Sequence, residues 1–185
     1  RLNVLYKNVD YFVIVESIYN HKGEKRNLLF DTKKFQQFSN KIIYLKYEKI
    51  PETVEPINSD DEENEKNRKY IMNALYRENA QRNFIINGLK DADEDDLILI
   101  SDVDEIPKLS SLNLDQINNE IILFKQDMFY YKYNLKLPNF KWTGTKAVKK
   151  KKLNSPQWLR NVKDRKYSFF RIDTFFSDKK YINIK

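Results

Sequence analysis

Asp95-Asp96-Leu97-Ile98-Leu99-Ile100-Ser101-Asp102-Val103-Asp104-Glu105-Ile106-Pro107 is the stretch whose reading decides the fold. A short aliphatic run between polar residues reads as a strand buried on both faces, the kind found inside a parallel sheet. Carboxylates crowd its C-terminal end at Asp102 and Asp104, and Pro107 stops it continuing as an interior ladder member. Open α/β sheets bind ligands beyond the carboxyl ends of their strands. Two aspartates with one spacer there can hold a hard divalent cation, Mg²⁺ or Mn²⁺, and share it with substrate phosphates. The competing reading is an idle, solvated acidic loop. The strand before it, the third carboxylate at Glu105 and the immediate proline favour the metal–phosphate reading.

Upstream, Tyr11-Phe12-Val13-Ile14-Val15 reads as a buried strand with Glu16 and Ser17 at its C-terminal end. A short helical piece over residues 33–38 precedes a second strand, Ile42-Ile43-Tyr44-Leu45-Lys46-Tyr47. The polar segment 51–67, with two prolines and a block of acids, reads as a loop. It leads into a helix predicted over about residues 65–89. Met72, Tyr76, Ala80 and Phe84, with Ile71, Leu75 and Ile85 beside them, form an apolar face able to pack on a sheet. Arg77 and Arg82 lie off that stripe. Each can grip a diphosphate with its planar fork or pair with Glu78 or an acidic loop, and Arg82 is the favoured phosphate ligand.

Downstream, residues 117–119 close a short helix, and Ile121-Ile122-Leu123-Phe124-Lys125 forms another strand. Met128-Phe129-Tyr130-Tyr131-Lys132-Tyr133 has strand spacing, which assigns most of its aromatics to the core, with sugar stacking as the alternative. A short helix starts after Pro156, and residues 167–172 and 180–184 read as final strands.

Four ordered blocks resemble glycosyltransferase family 17. They are Val9-Asp10-Tyr11-Phe12-Val13-Ile14-Val15-Glu16-Ser17 with His21 and Gly23, Arg77-Glu78-Asn79-Ala80-Gln81-Arg82-Asn83, the Asp102–Asp104 region from Leu99 to Pro107, and Trp142-Thr143-Gly144-Thr145-Lys146. The resemblance implies a three-layer α/β/α GT-A (Rossmann-like) fold with a mostly parallel sheet. It also implies inverting, metal-dependent sugar transfer, with UDP-N-acetylglucosamine the usual donor and a glycan hydroxyl the acceptor. Asp102 and Asp104 then hold Mn²⁺ or Mg²⁺ against the diphosphate, and Glu105 is the candidate catalytic carboxylate. Glu16 either accepts from the nucleoside or pairs with Lys25 or Arg26. Arg77, Arg82, Lys146 and Arg160 are candidates to attract donor or substrate phosphates, and Trp142 is the candidate sugar platform. His21 sits in a polar, exposed loop and is read as a bystander. Family members carry a Gly-Gly-Trp-His-Phe-Ser-like block beyond the region matching residues 181–185. One catalytic domain over 1–185, incomplete at both ends, is therefore expected.

Composition bounds these readings. The 185 residues suit one domain with a real core, and apolar clusters recur despite a charged fraction of 33%. With no cysteine there is neither a disulfide nor a thiolate metal site. No apolar run approaches the roughly 20 residues of a membrane helix and no signal peptide is visible, so a cytoplasmic location is expected. The chain starts at Arg1, so a preceding segment is also expected. The net charge of +7 owes much to Lys146, the run Lys149-Lys150-Lys151-Lys152, Arg160, Lys163, Arg165 and Lys166. Such a segment could make a nucleic-acid-binding module, but the acidic runs 60–65 and 91–96 and the lack of any nucleic-acid motif count against it. An aspartate-nucleophile phosphatase is the rival enzyme. That class wants Thr or Val where Ile106 stands, together with downstream motifs not seen here.

Overall fold

The computed structural model describes residues 1–113, 117, 120–132, 134–163 and 181–184. In chain order the elements are α1 (Leu2–Leu5), β1 (Phe12–Ser17), β2 (Ile42–Tyr47), α2 (Glu63–Asn83), β3 (Leu97–Ile100), β4 (Ile121–Phe124), β5 (Gln126–Tyr130), β6 (Leu135–Trp142), β7 (Lys146–Lys149), α3 (Pro156–Asn161) and β8 (Tyr181–Ile184). The chain is a mixed α/β protein. It divides into two compact units, one of Asp10–Asp91 and the other of Arg1–Val9 with Ala92–Lys185.

In the Asp10–Asp91 unit, β1 and β2 pair in parallel, from Phe12 opposite Ile42 to Ser17 opposite Tyr47. Parallel neighbours need a crossover, and a 3₁₀ segment over Thr32–Lys41 supplies part of it. Asp31 starts that segment by accepting the Lys33 amide at 3.0 Å. After the loop, α2 runs to Asn83 and tightens into a 3₁₀ turn over Phe84–Gly88. Tyr47 meets Phe84 with ring centroids 5.2 Å apart, so the end of the helix closes on β2.

The expected apolar face of α2 is only partly used. Ile71 and Leu75 are exposed, whereas Lys69 and Asn73 are buried. The reason is the loop leading into the helix, whose backbone needs partners. Asn73 supplies them twice over, accepting the Glu55 amide at 2.8 Å and donating to the Glu55 carbonyl at 2.7 Å. Lys69 reaches Asp61 at 2.7 Å. Asn73→Ala is therefore expected to lower stability by about 2 kcal/mol, because it strands a backbone donor and acceptor together. Chemical denaturation would test this, and a loss under about 0.5 kcal/mol, the range of an ordinary surface change, would show that the loop does not depend on the pair.

The second unit holds a four-stranded sheet in the order β3-β7-β4-β8. β7 runs antiparallel to both β3 and β4, and β8 runs parallel to β4. The mostly parallel sheet expected from the sequence is thus corrected: parallel pairing occurs at β1–β2 and β4–β8, and β7 reverses direction between β3 and β4. All four residues of β4 are buried, so this strand is covered on both faces. β3 stands first in the order and buries only Ile98 and Ile100. A strand flanked in this way needs one apolar face, and its continuous aliphatic run overstates its burial.

β5 and β6 form a separate antiparallel hairpin. Phe129, Tyr130 and Tyr131, assigned to the core from spacing, are exposed instead, with Tyr131 at 88%, and Phe140 of β6 is also open to solvent. A two-stranded ribbon has too little surface of its own to bury them. α3 begins as expected: Pro156 occupies its first turn and the Ser155 hydroxyl accepts the Trp158 amide at 3.0 Å. The predicted strand over 167–172 lies outside the described residues, as do residues 118 and 119, Tyr133, Arg165 and Lys166.

Candidate active site

The acidic turn after β3 sits in the second unit, and the side chains of Arg1, Trp142 and Arg160 converge on it. Glu105 is at the centre, 5% exposed. Its Oε1 accepts from Trp142 Nε1 at 2.7 Å and from Arg160 Nη2 at 2.8 Å. Its Oε2 accepts from Arg160 Nη1 at 2.8 Å and from the Asp102 amide at 3.0 Å. A carboxylate offers about four acceptor positions, so Glu105 is satisfied by the protein itself. Burial pushes its carboxyl up, but the hydrogen bonds from Arg160, Trp142 and the Asp102 amide outweigh burial and hold it below the usual range.

Arg160 extends the array. Its Nη2 also donates to Asp102 Oδ2 at 2.6 Å, and its Nη1 to the Gly144 carbonyl. Its guanidinium carbon lies 5.9 Å from the Trp142 ring centroid, within cation–π range. Gly144 leaves the room this needs: a Cβ there would fall 1.8 Å from Glu105 Oε1 and 2.3 Å from Trp142 Nε1. Lys146 is buried at the start of β7 and donates to the Arg160 carbonyl. Arg1 joins from α1's end of the unit, donating to Ser101 Oγ and the Asp102 carbonyl. Burial lowers the Arg1 pKa, against the opposing pull of Glu105, Asp102 and Asp104.

Asp102, Glu105, Trp142, Lys146 and Arg160, all singled out from sequence, are therefore brought together, while Asp104 lies exposed in the same turn. The Asp102 side chain keeps 42% of its surface open, and Trp142 keeps 43%. Arg1 had no signal in the sequence: a lone arginine a hundred residues upstream of the motif carries no periodicity or spacing that points to it.

Glu16, Arg77 and Arg82 belong to the Asp10–Asp91 unit. Glu16 accepts the Leu29 amide at 2.7 Å, the Phe30 amide at 3.0 Å and the Tyr44 hydroxyl at 2.9 Å, with Arg26 at 3.5 Å. The Arg26 alternative read from sequence is the contact present. Arg77 donates to the His21 carbonyl at 3.0 Å beside Gly23, and Arg82 pairs with Glu78 at 2.7 Å. Burial pushes the Glu16 carboxyl up, but the two amides, the Tyr44 hydroxyl and Arg26 outweigh it and lower it; burial and Glu16 together push Tyr44 up to about 12.

A carboxyl lowered in the folded state stabilises above its unfolded pKa, about 4.3, and that contribution is lost as pH falls through the folded value. Glu16→Gln is accordingly expected to cost about 1–3 kcal/mol at pH 7 and progressively less below pH 4. Melting curves across pH 2–7 would test it, and a mutant deficit that stays constant over that range contradicts the assignment.

Three of the four lysines in the run 149–152 are paired with acids. Lys149 and Lys151 reach Asp95 at 3.1 and 2.7 Å, and Lys150 reaches Glu94 at 3.8 Å. Opposite charge on the two flanks of the β3–β7 ladder removes much of the argument for a nucleic-acid face.

Among the described residues no group of three or more His, Cys, Asp and Glu side chains is placed to hold a metal ion. Asp102 and Asp104 remain as oxygen donors, which suits a cation that completes its shell with water and ligand phosphate but not an all-protein cage. Among the described residues no helix is long and apolar enough to cross a membrane.

The family model for glycosyltransferase family 17 matches residues 1–161. No curated protein and no solved structure matches the chain. The matched span includes the acidic turn, Trp142, Gly144 and Arg160, so the array just described lies within the family's own domain: the chain belongs to glycosyltransferase family 17.

Proposed function

We propose that this transferase moves a sugar, N-acetylglucosamine from UDP-N-acetylglucosamine, to a glycan hydroxyl with inversion, in a three-layer GT-A fold with a divalent cation at the acidic turn. The observation that carries the reading is the turn itself. Asp104 is exposed and Asp102 half-exposed directly after β3, and the half-exposed Trp142 ring is bonded to the same turn through Glu105. Asp102 and Asp104 would hold Mn²⁺ or Mg²⁺, and the cation would neutralise charge developing on the departing diphosphate. Trp142 offers an open, fixed ring for a sugar's C–H face.

In such a transfer the acceptor oxygen bonds to the anomeric carbon as the bond to the diphosphate breaks, and the hydroxyl proton passes to a base. The filled acceptor positions of Glu105 support giving that proton to another group. The internal partners of Glu16, Arg77 and Arg82 likewise support roles in holding the 20–30 loop and α2 rather than in gripping the donor.

A panel of UDP, GDP and CMP in thermal-shift assays, with and without Mn²⁺, tests the reading, because a ligand that binds only the native state raises the melting temperature by mass action. UDP stabilising more strongly with Mn²⁺ than without it is expected. A metal-dependent preference for GDP would overturn the donor, and no nucleotide effect at all would overturn the site.

A further inference from the structure

The sequence cast Arg160 as a substrate ligand, yet its guanidinium faces inward. It makes two bonds to Glu105, one to Asp102 and one to the Gly144 carbonyl, and its side chain is 13% exposed. A guanidinium engaged this way has little left for a diphosphate. It does something else to the site.

Asp102 has two oxygens, and Arg160 takes Oδ2. That bond fixes the carboxylate's rotation and so decides how the other oxygen is presented. Trp142 is held in two ways: its N–H by Glu105 and its ring beside the Arg160 charge. Remove the guanidinium, and Asp102 loses that bond while Glu105 loses two of the bonds that align it for Trp142. One side chain thus controls both the acidic edge and the aromatic platform.

We propose that Arg160 is a positioning residue: bridging Asp102, Glu105 and the Gly144 carbonyl beside the Trp142 ring, it locks the cation-facing carboxylate and the sugar-facing ring into one array without touching the donor. This rests on the reading of Asp102 and Asp104 as the cation's oxygen donors. Partners that orient a metal's ligands from behind are worth about 10–100-fold in metal affinity when removed. Lysine keeps the charge but lacks the planar fork, so it cannot reach Asp102, both Glu105 oxygens and Gly144 together.

The test is Arg160→Lys, with calorimetric titration of UDP in Mn²⁺ and in EDTA. The expected result is a loss of about 10–100-fold in the Mn²⁺-dependent UDP affinity, with the metal-free affinity unchanged. In a Trp158→Phe background, where Trp142 is the remaining tryptophan, its fluorescence should become more accessible to acrylamide. A merely structural arginine would lower the melting temperature and weaken UDP equally with and without metal, and that result overturns the proposal. Equal Mn²⁺-dependent affinity in wild type and Arg160→Lys overturns it as well. Should Arg160→Lys not fold, Glu105→Gln is the second variant. It keeps the carboxylate's shape while weakening the grip on Arg160, and the same metal-dependent loss is expected. Wild type that binds no UDP with Mn²⁺ removes the functional reading, and this inference with it. Wild type that binds while both variants bind equally well removes the inference alone.

Discussion

Asp104→Asn should leave the fold intact and remove metal-dependent UDP binding, with an affinity loss of roughly a hundredfold or more. The substitution keeps the shape of the side chain and takes away its charge, and Mg²⁺ and Mn²⁺ need anionic oxygen. The size follows from comparison: groups that only orient a ligand are worth about 10–100-fold, so a direct ligand should reach or pass the upper figure. Asp104 is the better position to test because it is exposed. Surface changes of this kind usually move stability by less than about 0.5 kcal/mol. Asp102→Asn could not separate the two effects, since it also weakens the 2.6 Å bond to Arg160. Titrating UDP with Mn²⁺, next to a melting curve for each protein, decides the matter. Unchanged affinity in a folded Asp104→Asn protein rules Asp104 out as a ligand.

What the sequence made legible was local. β2 begins and ends where its aliphatic and aromatic run does, β1 differs by a residue or two, and α3 starts at Pro156, with Ser155 as its cap. These are decided by side-chain alternation and capping, which act over a few residues. Partners were not legible in the same way. The aliphatic run of β3 announces a strand but not that its neighbour is β7, antiparallel and some fifty residues on. Asn73 and Lys69 break the apolar stripe of α2, and nothing nearby states that a polar loop will lie over them. Phe129, Tyr130 and Tyr131 have the spacing that core residues share, and nothing local states that they stand exposed on a hairpin.

At the site the residue types were readable and their roles were not. Glu105, Trp142 and Arg160 each suggest contact with substrate when taken singly. Placed together, across separations of 37 and 55 positions, they satisfy one another. One long-range pairing did leave a trace: acids at 93–96 and lysines at 149–152 are blocks of opposite sign. They flank the two strands that pair, and charge complementarity alone could have suggested that ladder.

Gly144→Ala carries the largest expected cost to stability, about 3 kcal/mol, at the upper end for overpacking a filled interior. The added methyl would lie 1.8 Å from Glu105 Oε1 and 2.3 Å from Trp142 Nε1, far inside van der Waals contact. A flexible side chain could swing away cheaply, but this one cannot. Glu105 is held at both oxygens by Arg160, and by Trp142 and the Asp102 amide as well. Moving the backbone instead would disturb the Thr145 amide, which donates to Gln126 at 3.3 Å, and the first residue of β7. For a chain of this size the loss corresponds to a fall of about 6–12 °C in melting temperature. Glu105→Asp should itself destabilise, since a carboxylate one methylene shorter draws back from Arg160 and Trp142. In the double variant the alanine methyl fills the space thus vacated, so the two changes should together cost less than their sum by about 1 kcal/mol or more. Thermal melts of the four proteins complete the cycle. Additivity within about 0.5 kcal/mol would mean that Gly144 and Glu105 do not share that space, and the packing of the turn against residues 142–145 would have to be redrawn.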